Sequence, residues 1–583
     1  MHNVEGSDTF ANRLHSQNPH LVLIAVLIGV AAGVGNIIFR TVIAWIQRIS
    51  YGTELEVVLP ALQNAPIYRI ILIPALGGLL VGLIYQFYKT PEGRGVSMVM
   101  KALAFKTNLP PLTAAVTTLT SAITIGTGGS AGREGPIVQI GAAIGSGIGK
   151  LFRFSPDRMR FAVASGAGGG LAATFNTPMA GAMFTAEVLL GRLELQVFAP
   201  VIVSCVSATV VSRAWFGSHI TFAAPNYAFT SFFEIPAYAV LGLVTGLAGA
   251  LFIKFYYLTE STFKQMKIPT WLKPALGGLL VGLIGIFCRN IMGGGYGTIS
   301  QILDGGIVGY FLLLLVGLKI VATSLTLGSG GSGGLFVPSL FVGAALGGFF
   351  GWGAHLLLPQ YFSTSGSYAL VGMGAMLAAT MRAPITSILM IFEITQSYQI
   401  VLPLMTAVIV ANVFATLAEK DSFFTHPLSQ EGVDLRYNAE SAILEHIRVR
   451  YVMTTKVVKF YENTPFFEVT EAIRKNRHNY FPVVTNNDEL IGMMSLKDVN
   501  DALVKKGFDN NLVARDMCEE CAREDLIFIT PDNSLAEATL LFKAHEAGAL
   551  PVLDKHNKLV GILRKSDILF TLAAGEKAME SKI

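Results

Sequence analysis

The sequence predicts a polytopic α-helical membrane protein that is followed by a duplicated α/β domain. Its 583 residues are 52% hydrophobic and 14% charged, whereas an ordinary soluble protein carries about 25% charged residues. Apolar stretches follow one another from Leu21 to Leu417, and after Glu419 the charge rises and the apolar runs shorten. The composition therefore excludes a soluble enzyme and predicts a membrane domain over about 21–425.

The N-terminal residues 1–20 are polar, and we expect them to lie in the cytosol. The apolar run that begins at Leu21 reaches about Ile46, which is too long for the hydrophobic region of a signal peptide. It predicts a first membrane helix. The net charge of +4 comes without a basic tract, so no nucleic-acid partner is expected.

The four cysteines occur in two settings. Cys205 and Cys288 lie within apolar segments, whereas Cys518 and Cys521 form a single Cys-Glu-Glu-Cys. A structural zinc site usually needs a second ligand pair. The cysteines are therefore interpreted as ordinary thiols, and no metal site is predicted.

The membrane region is a tandem duplication, with repeats over about 21–215 and 230–425. Many apolar stretches in both repeats are shorter than the ~20 residues of a full span and are interrupted by Gly or Pro. Broken helices in two repeats predict a transport site at the repeat interface, near the middle of the bilayer. The matches that establish the register are Pro74–Ile84 with the identical Pro274–Ile284, Gly126–Ser130 with Gly328–Ser332, Pro136 with Pro338, and Glu187 with Glu393.

A linker over 426–445 leads to a second duplication over 446–583. Its two copies, about 449–506 and 513–575, are 69 residues apart in register, because Pro482 matches Pro551 and Gly492 matches Gly561. Short apolar runs and amphipathic segments predict strand, helix, strand, strand and helix in each copy.

A glycine-rich turn before a helix carries the main functional signal. In Gly126–Pro136 the proline lies in the first helical turn, where it has no amide donor to lose. The unpaired N–H groups and the helix dipole favour an anion there. The second repeat supplies a matching start in Gly333–Pro338, but without an acid opposite Glu134. Glu134 is interpreted as a gate that competes with the anion, or alternatively as a charge that complements the helix dipole.

The motifs Gly132-Arg-Glu-Gly-Pro136, Gly333-Gly-Leu-Phe-Val-Pro338 and Phe175-Asn-Thr-Pro178 resemble those of the CLC chloride channel and transporter family. The C-terminal tandem resembles the paired cystathionine-β-synthase (CBS) domains that many CLC proteins carry. The resemblance implies the CLC fold of two inverted repeats of broken, tilted helices, and a homodimer with one anion pathway in each subunit.

The resemblance also implies a location and a set of site residues. The protein would lie in the plasma membrane (the inner membrane of a bacterium), in contact with the lipid bilayer, with its CBS domains in the cytosol and no obligatory protein partner. Glu134 would be the gating glutamate and chloride the transported ligand. The positions that match anion-binding positions of the family are Gly93, Arg94, Gly95, Arg133, Gly135, Gly334, Leu335, Phe336 and Phe424.

Three residues depart from the family pattern. Arg94 stands where the family often has a serine that binds the central anion; its side chain either enters the pathway or reaches the cytoplasmic mouth. Phe424 stands where a tyrosine usually offers its hydroxyl. Val188 follows Glu187 where antiporters commonly carry a second glutamate for protons, which favours a passive chloride channel over chloride/proton exchange.

Two strand-to-helix turns of the CBS tandem resemble those that hold adenine nucleotides (ATP, ADP or AMP). The implied contacts are Ser495, Asp498, Ser566 and Asp567, with the aspartates accepting from ribose hydroxyls and a helix N-terminus favouring phosphate. Alternatively, the tandem binds nothing and serves as a dimer scaffold.

Two other transport functions are alternatives to chloride transport. A fluoride exporter is one alternative, and a divalent-cation transporter regulated by CBS domains is another. The latter needs carboxylates or carbonyls along the pathway, whereas helix N-termini have the opposite polarity. The sequence contains no HExxH and no Walker lysine loop, and no nucleophile elbow supports an enzyme, so no enzyme activity is predicted.

Overall fold

The computed structural model describes residues 19–53, 62, 64–88, 95–104, 109–191, 195–217, 222, 234–430, 444, 447–476, 479–506, 512–518, 527–545, 547–555 and 557–571. The chain divides into two compact units, Met1–Val433 and Asp434–Ile583. The described part of the first unit is helical, and the second unit combines helices with two small sheets.

The helices of the first unit occur twice in the same order. The first set comprises α1 Pro19–Tyr51, α2 Ile67–Phe87, α3 Val96–Ala104, α4 Pro111–Gly126, α5 Glu134–Leu151, α6 Pro156–Phe175, α7 Pro178–Phe184 and α8 Leu195–Phe216. The second set comprises α9 Glu234–Gln265, α10 Lys273–Phe287, α11 Tyr296–Leu303, α12 Tyr310–Gly328, α13 Phe336–Leu357, α14 Ser365–Met381, α15 Pro384–Thr395 and α16 Val401–Ala418. A short helix α17, His426–Gln430, follows. The predicted duplication is therefore present in the helix order.

Eight described helices are long and apolar enough to cross a membrane. They are His20–Tyr51, Ile67–Phe87, Phe198–Phe216, Glu234–Gln265, Thr270–Phe287, Tyr310–Gly328, Phe336–Leu357 and Val401–Ala418. Three apolar segments, Pro111–Gly126, Pro178–Leu190 and Pro384–Thr395, are shorter. The segment after α7 continues as a π-helix over Thr185–Leu190. The predicted combination of spanning and broken helices is thus confirmed.

The two repeats contact each other reciprocally through α2 and α10. A β-carbon on Gly78 would overlap the carbonyl oxygen of Pro274, and one on Gly278 would overlap the carbonyl oxygen of Pro74. Glycine at both positions therefore allows the two backbones to touch. The reciprocity indicates a pseudo-two-fold axis between the repeats.

Hydroxyl groups repeat this symmetry at the glycine-rich loops. The Ser130 amide donates to the Thr326 hydroxyl at 3.0 Å, and the Ser332 amide donates to the Thr124 hydroxyl at 3.2 Å. The loop of each repeat is thus held by the helix that precedes the loop of the other repeat. These bonds satisfy backbone donors that are buried away from water.

Two carboxylates cap helix N-termini of the opposite repeat, across the same pseudo-two-fold axis. Glu187 accepts from the Ile385 and Thr386 amides at 3.1 and 2.8 Å, at the start of α15. Glu393 accepts from the Met179 and Ala180 amides at 3.0 and 2.8 Å, at the start of α7. Each carboxylate supplies the negative charge and acceptors that a helix start lacks. These bonds give Glu187 the structural role that its recurrence as Glu393 indicates.

The second unit contains two similar α/β copies. In the first, β1 (Phe460–Tyr461) pairs in parallel with β2 (Tyr480–Val484), which pairs antiparallel with β3 (Leu490–Ser495). In the second, β4 (Ala549–Leu553) pairs antiparallel with β5 (Leu559–Arg564). The described helices of this unit include α18 Phe466–Lys475, α19 Leu496–Lys506 and α20 Leu535–Ala544.

The cores of the two copies correspond in register. Val483 lies opposite Gly492 and Val552 lies opposite Gly561, the positions that the sequence pairs. An isolated parallel bridge between Ile529 and Val552 takes the place of β1 in the second copy. Both copies enclose separate clusters of buried apolar side chains, as the α/β prediction requires.

The glycine contact between α2 and α10 leads to a stability prediction. Gly78→Ala is expected to push the two repeats apart, because overpacking a close contact typically costs about 1–3 kcal/mol. Size-exclusion chromatography of the purified protein after a heating series would show a lower midpoint. Gly147→Ala in α5 is the matched control, since a β-carbon there meets no atom within 4 Å. Equal midpoints for the two variants would contradict the proposed contact.

The reciprocal carboxylate caps lead to a second prediction. Glu393→Gln is expected to lower the thermal midpoint by several degrees, because hydrogen bonds to a charged group contribute about 1.5–3 kcal/mol each. The same heating series measures this change. Glu260→Gln, which affects a surface pair with Lys264, should leave the midpoint unchanged. A midpoint for Glu393→Gln equal to that of the wild type would show that the cap contributes little.

Candidate functional site

Two helix N-termini face each other where the repeats meet. Gly132 and Gly334, which precede α5 and α13, form an antiparallel bridge in which each amide donates to the carbonyl of the other at 2.7 Å. A β-carbon on Gly135 would lie 3.4 Å from the Cα of Gly334. The first-turn amides of both helices therefore point into one buried region, whose partial positive charges favour an anion.

Glu134 occupies this region with its own side chain. The residue is 2% exposed, and a β-carbon on Gly132 would overlap its Oε2, while one on Gly334 would lie 3.0 Å from that atom. The backbone amides of Glu134, Val337 and Arg133 lie close enough to act on the carboxylate electrostatically. Yet neither carboxylate oxygen makes a hydrogen bond of normal geometry to a described residue. An ionised carboxylate that is buried without a hydrogen bond or a paired charge is costly, so protonation of this side chain or its displacement from the site is favoured.

Arg133 lies beside the carboxylate and is almost buried. Its guanidinium donates to the Thr174 carbonyl at 3.3 Å and lies 5.0 Å from the Tyr296 ring centroid and 6.0 Å from that of Phe175. Phe175 in turn stacks on Phe336 with centroids 5.2 Å apart. The structure thus brings together the predicted residues Arg133, Glu134 and Phe336, with Leu335 immediately before α13.

The predicted anion loop of the first repeat is described only in part. Gly93 and Arg94 lie outside the described residues, so the direction of Arg94 stays a prediction. Gly95 has a positive φ of 66°, which glycine adopts readily, and packs on Gly135. Its amide donates to Oε1 of Gln139 at 3.0 Å. The start of α3 is therefore attached to the helix that carries Glu134.

Sequence reasoning missed Gln139. It is 1% exposed, and its amide nitrogen also contacts Sδ of Met98 at 3.3 Å. The signal in the sequence is that Gln139 is the single side-chain amide within the largely apolar and glycine-rich α5. Lys319 was also missed, and its signal is similar, because it is the single charged residue of the apolar α12.

Phe424 and Val188 lie near α3 and the end of α7. The Ser97 hydroxyl donates to the Phe424 carbonyl at 2.9 Å, and the Phe424 ring meets Phe184 edge-on with centroids 6.3 Å apart. Val188 is buried within the π-helix that continues α7. π-Helical turns often occur at functional sites, and this one carries an apolar side chain where a proton relay would need a titratable group.

The second unit contains a cavity of about 320 Å³. Its lining includes two cations, Lys456 and Arg564, and the predicted Ser566. Arg564 donates to the Thr454 hydroxyl at 3.1 Å. Positive and hydroxyl groups in one cavity suit a phosphate-bearing ligand. The complete lining is Thr454, Lys456, Val457, Val458, Asn479, Tyr480, Gly548, Ile562, Arg564 and Ser566.

The other predicted nucleotide contacts cap their own turns. Asp567 accepts from the Arg564 amide at 3.0 Å, and Asp498 accepts from the Ser495 amide at 2.7 Å. Neither Ser495 nor Asp498 lines the cavity. Cys518 is buried, and Cys521 lies outside the described residues. Among the described residues, no group of three His, Cys, Asp or Glu side chains is placed to hold a metal.

Comparison with known proteins agrees with this geometry. A family model described as voltage gated chloride channel matches residues 77–416, and CBS domain models match 449–505 and 516–574. A putative chloride channel protein ClcB-like from Ralstonia nicotianae is 38% identical over 71% of this chain and 98% of its own length. The chloride channel protein CLC-f from Arabidopsis thaliana is 30% identical over 94% of this chain and 80% of its own length.

A solved structure shares the fold of the membrane domain. The X-ray structure of a slow cyanobacterial Cl⁻/H⁺ antiporter superimposes with a TM-score of 0.66 at 25% identity, covering 71% of this chain and 99% of the other. Together with the two repeats of broken helices and the α/β tandem, these matches confirm the predicted fold. The chain belongs to the CLC family of chloride channels and transporters and carries a C-terminal pair of CBS domains.

Proposed function

We propose that this protein transports chloride across the membrane through a pathway gated by Glu134. The observation that supports this most directly is the buried carboxylate between two facing helix N-termini. The carboxylate is negatively charged when ionised, lies against Gly132 and Gly334, and lacks a hydrogen-bond partner of normal geometry among the described residues. A chloride ion of the same sign would gain the same amides and compete with it.

The polarity of the site favours an anion over a divalent cation. A cation site needs several oxygen ligands, whereas the α5 and α13 termini present N–H groups and the buried Arg133 guanidinium. An anion that has lost its water gains electrostatic stabilisation from these groups in a region of low dielectric constant. The site therefore supports chloride as the transported ligand.

Passive conduction is favoured over exchange with protons. Val188 and the neighbouring Leu189 are buried and apolar, so this stretch of the π-helix offers no group that can carry a proton. Glu187 is hydrogen-bonded to the start of α15 and is thereby committed to capping that helix. Chloride/proton exchange is the alternative, since the cyanobacterial structure with the same fold is that of an antiporter.

We further propose that the protein acts as a homodimer in the plasma membrane with its CBS domains in the cytosol. The CBS cavity would bind an adenine nucleotide that modulates the gate. Lys456 and Arg564 would contact the phosphates and Tyr480 would provide an aromatic surface for the base.

The gate proposal predicts a defined change in flux. In chloride-loaded liposomes with valinomycin to clamp the voltage, wild type should release chloride with a pH-dependent rate and without proton uptake. Glu134→Gln should keep chloride efflux but lose its pH dependence, because the amide cannot titrate. A chloride electrode and an external pH electrode record both fluxes together.

Glu260→Gln is the matched control, because this surface carboxylate pairs with Lys264 and should retain the wild-type pH profile. A wild-type pH profile in Glu134→Gln would contradict the proposed role of Glu134 as the gate. Proton uptake in fixed ratio to chloride would contradict the channel proposal and show that the protein is a chloride/proton exchanger. Absence of chloride flux from both proteins would contradict chloride transport.

The nucleotide proposal predicts saturable binding of ATP or AMP to the full-length protein. Lys456→Ala and Arg564→Ala should each weaken binding about tenfold, since hydrogen bonds to charged groups contribute about 1.5–3 kcal/mol. Isothermal titration calorimetry of detergent-purified protein measures this. Lys558→Ala, an exposed lysine outside the cavity lining, should bind like wild type. Absence of binding by wild type would favour the scaffold role of the tandem.

A further inference from the structure

Lys319 is a buried basic residue that takes no part in the gate proposed above. It is 0% exposed and lies in the middle of α12, where it is the single charged residue. A charged side chain in the middle of a membrane helix costs about 2.5–3.5 kcal/mol on insertion scales. Its presence therefore needs a physical reason.

The Lys319 ammonium is held by backbone and not by an acid. Its Nζ donates to the Ile291 carbonyl at 2.9 Å and to the Gly293 carbonyl at 2.8 Å, and lies 4.9 Å from the Phe341 ring centroid. No carboxylate among the described residues forms an ion pair with it. Carbonyls and the ring stabilise an ammonium without supplying a negative charge, so the protonated form of Lys319 would place an uncompensated positive charge inside the helical unit.

The carbonyls belong to a short segment, residues 291–295, which we call the lysine loop. A β-carbon on Gly295 would lie 3.4 Å from Nζ, so the loop bends closely around the ammonium. The Gly293 amide donates to the Gly128 carbonyl at 3.0 Å. One segment thus contacts Lys319 on one side and the glycine-rich loop of the first repeat on the other.

The lysine loop leads directly to the anion site. Tyr296 follows it as the first residue of α11, and its ring lies 5.0 Å from the Arg133 guanidinium. Arg133 immediately precedes Glu134. A chain of contacts therefore connects Lys319, the lysine loop, Tyr296 and Arg133 to the facing helix N-termini.

The first repeat carries no charge at the position equivalent to Lys319. The position equivalent to Lys319 in the first repeat is Thr117, 202 residues earlier, which is buried and neutral. The equivalent of Glu134 in the second repeat is Phe336. The acid thus belongs to one repeat and the buried cation to the other.

We propose that Lys319 is a positioning residue of the anion pathway. Its ammonium holds the lysine loop, and with it Tyr296, against Arg133, and its unneutralised charge raises the affinity of the facing helix N-termini for an anion. A buried charge acts over a longer distance than an exposed one because water and salt screen it less. The proposal rests on the proposed function in that the transported ion is an anion.

Three substitutions separate the effect of the positive charge from the effect of the hydrogen bonds to the lysine loop. Lys319→Arg keeps the charge and N–H donors, Lys319→Gln keeps N–H donors without charge, and Lys319→Met keeps neither. Chloride efflux from liposomes is measured over a range of internal chloride concentrations. Lys319→Gln should raise the half-saturating chloride concentration about three- to tenfold with a maximal rate close to that of the wild type. Lys319→Met should also lower the maximal rate, and Lys319→Arg should resemble wild type.

The control is Lys264→Met, which removes an exposed charge from the surface; it should leave both flux parameters unchanged. A wild-type half-saturating concentration in Lys319→Gln and Lys319→Met would overturn the proposal while leaving chloride transport intact. Wild type that moves no chloride would instead defeat the proposed function and this inference with it. If Lys319→Arg alone elutes as monodisperse protein, Lys319 is a folding residue and the proposed effect on anion affinity is overturned.

Discussion

The antiparallel bridge between Gly132 and Gly334 is the interaction on which the membrane domain depends. It brings together two helix N-termini, each equivalent to about half a positive charge, which repel each other at close range. Two hydrogen bonds of 2.7 Å hold the approach. Glycine is required there, since a β-carbon on Gly334 would lie 2.8 Å from the Gly135 amide nitrogen. Negative charge placed between the termini relieves the repulsion, whether it comes from Glu134 or from an anion in solution.

Glu134, Glu187 and Glu393 all lie at helix N-termini of the membrane domain, and the differences between them separate structure from function. Glu187 and Glu393 each accept two backbone amides at 2.8 to 3.1 Å and close the starts of α15 and α7. These helix starts already hold an anion that belongs to the protein. Glu134 makes no hydrogen bond of normal geometry to a described residue, so less holds it in place. Under the proposed gate, the starts of α5 and α13 are where a dissolved anion would exchange with a carboxylate.

Much of the fold could be predicted from the sequence because the membrane region and the C-terminal region are each tandem duplications. The identity of Pro74–Ile84 and Pro274–Ile284 establishes the register, and the glycines within both segments turn out to be the contact points of α2 and α10. The direction of a side chain depends on packing and cannot be read in this way. The bond from Gly95 to Gln139 and the carbonyl cage of Lys319 were missed for that reason. Gly93 and Arg94 stay predictions.

Divergence between equivalent positions then becomes the most informative feature of the duplicated chain. Where both repeats keep the same residue, as with Gly78 and Gly278 or Glu187 and Glu393, the contact is reciprocal and stabilises the pseudo-two-fold packing. Where they differ, symmetry of packing cannot explain the choice. Glu134 corresponds to Phe336 and Lys319 corresponds to Thr117 in the register of the repeats, so the acid and the buried lysine belong to opposite repeats. If Glu134 leaves the site as proposed, this division would give one pathway a removable negative charge near a buried lysine, which suits an anion site that can open and close.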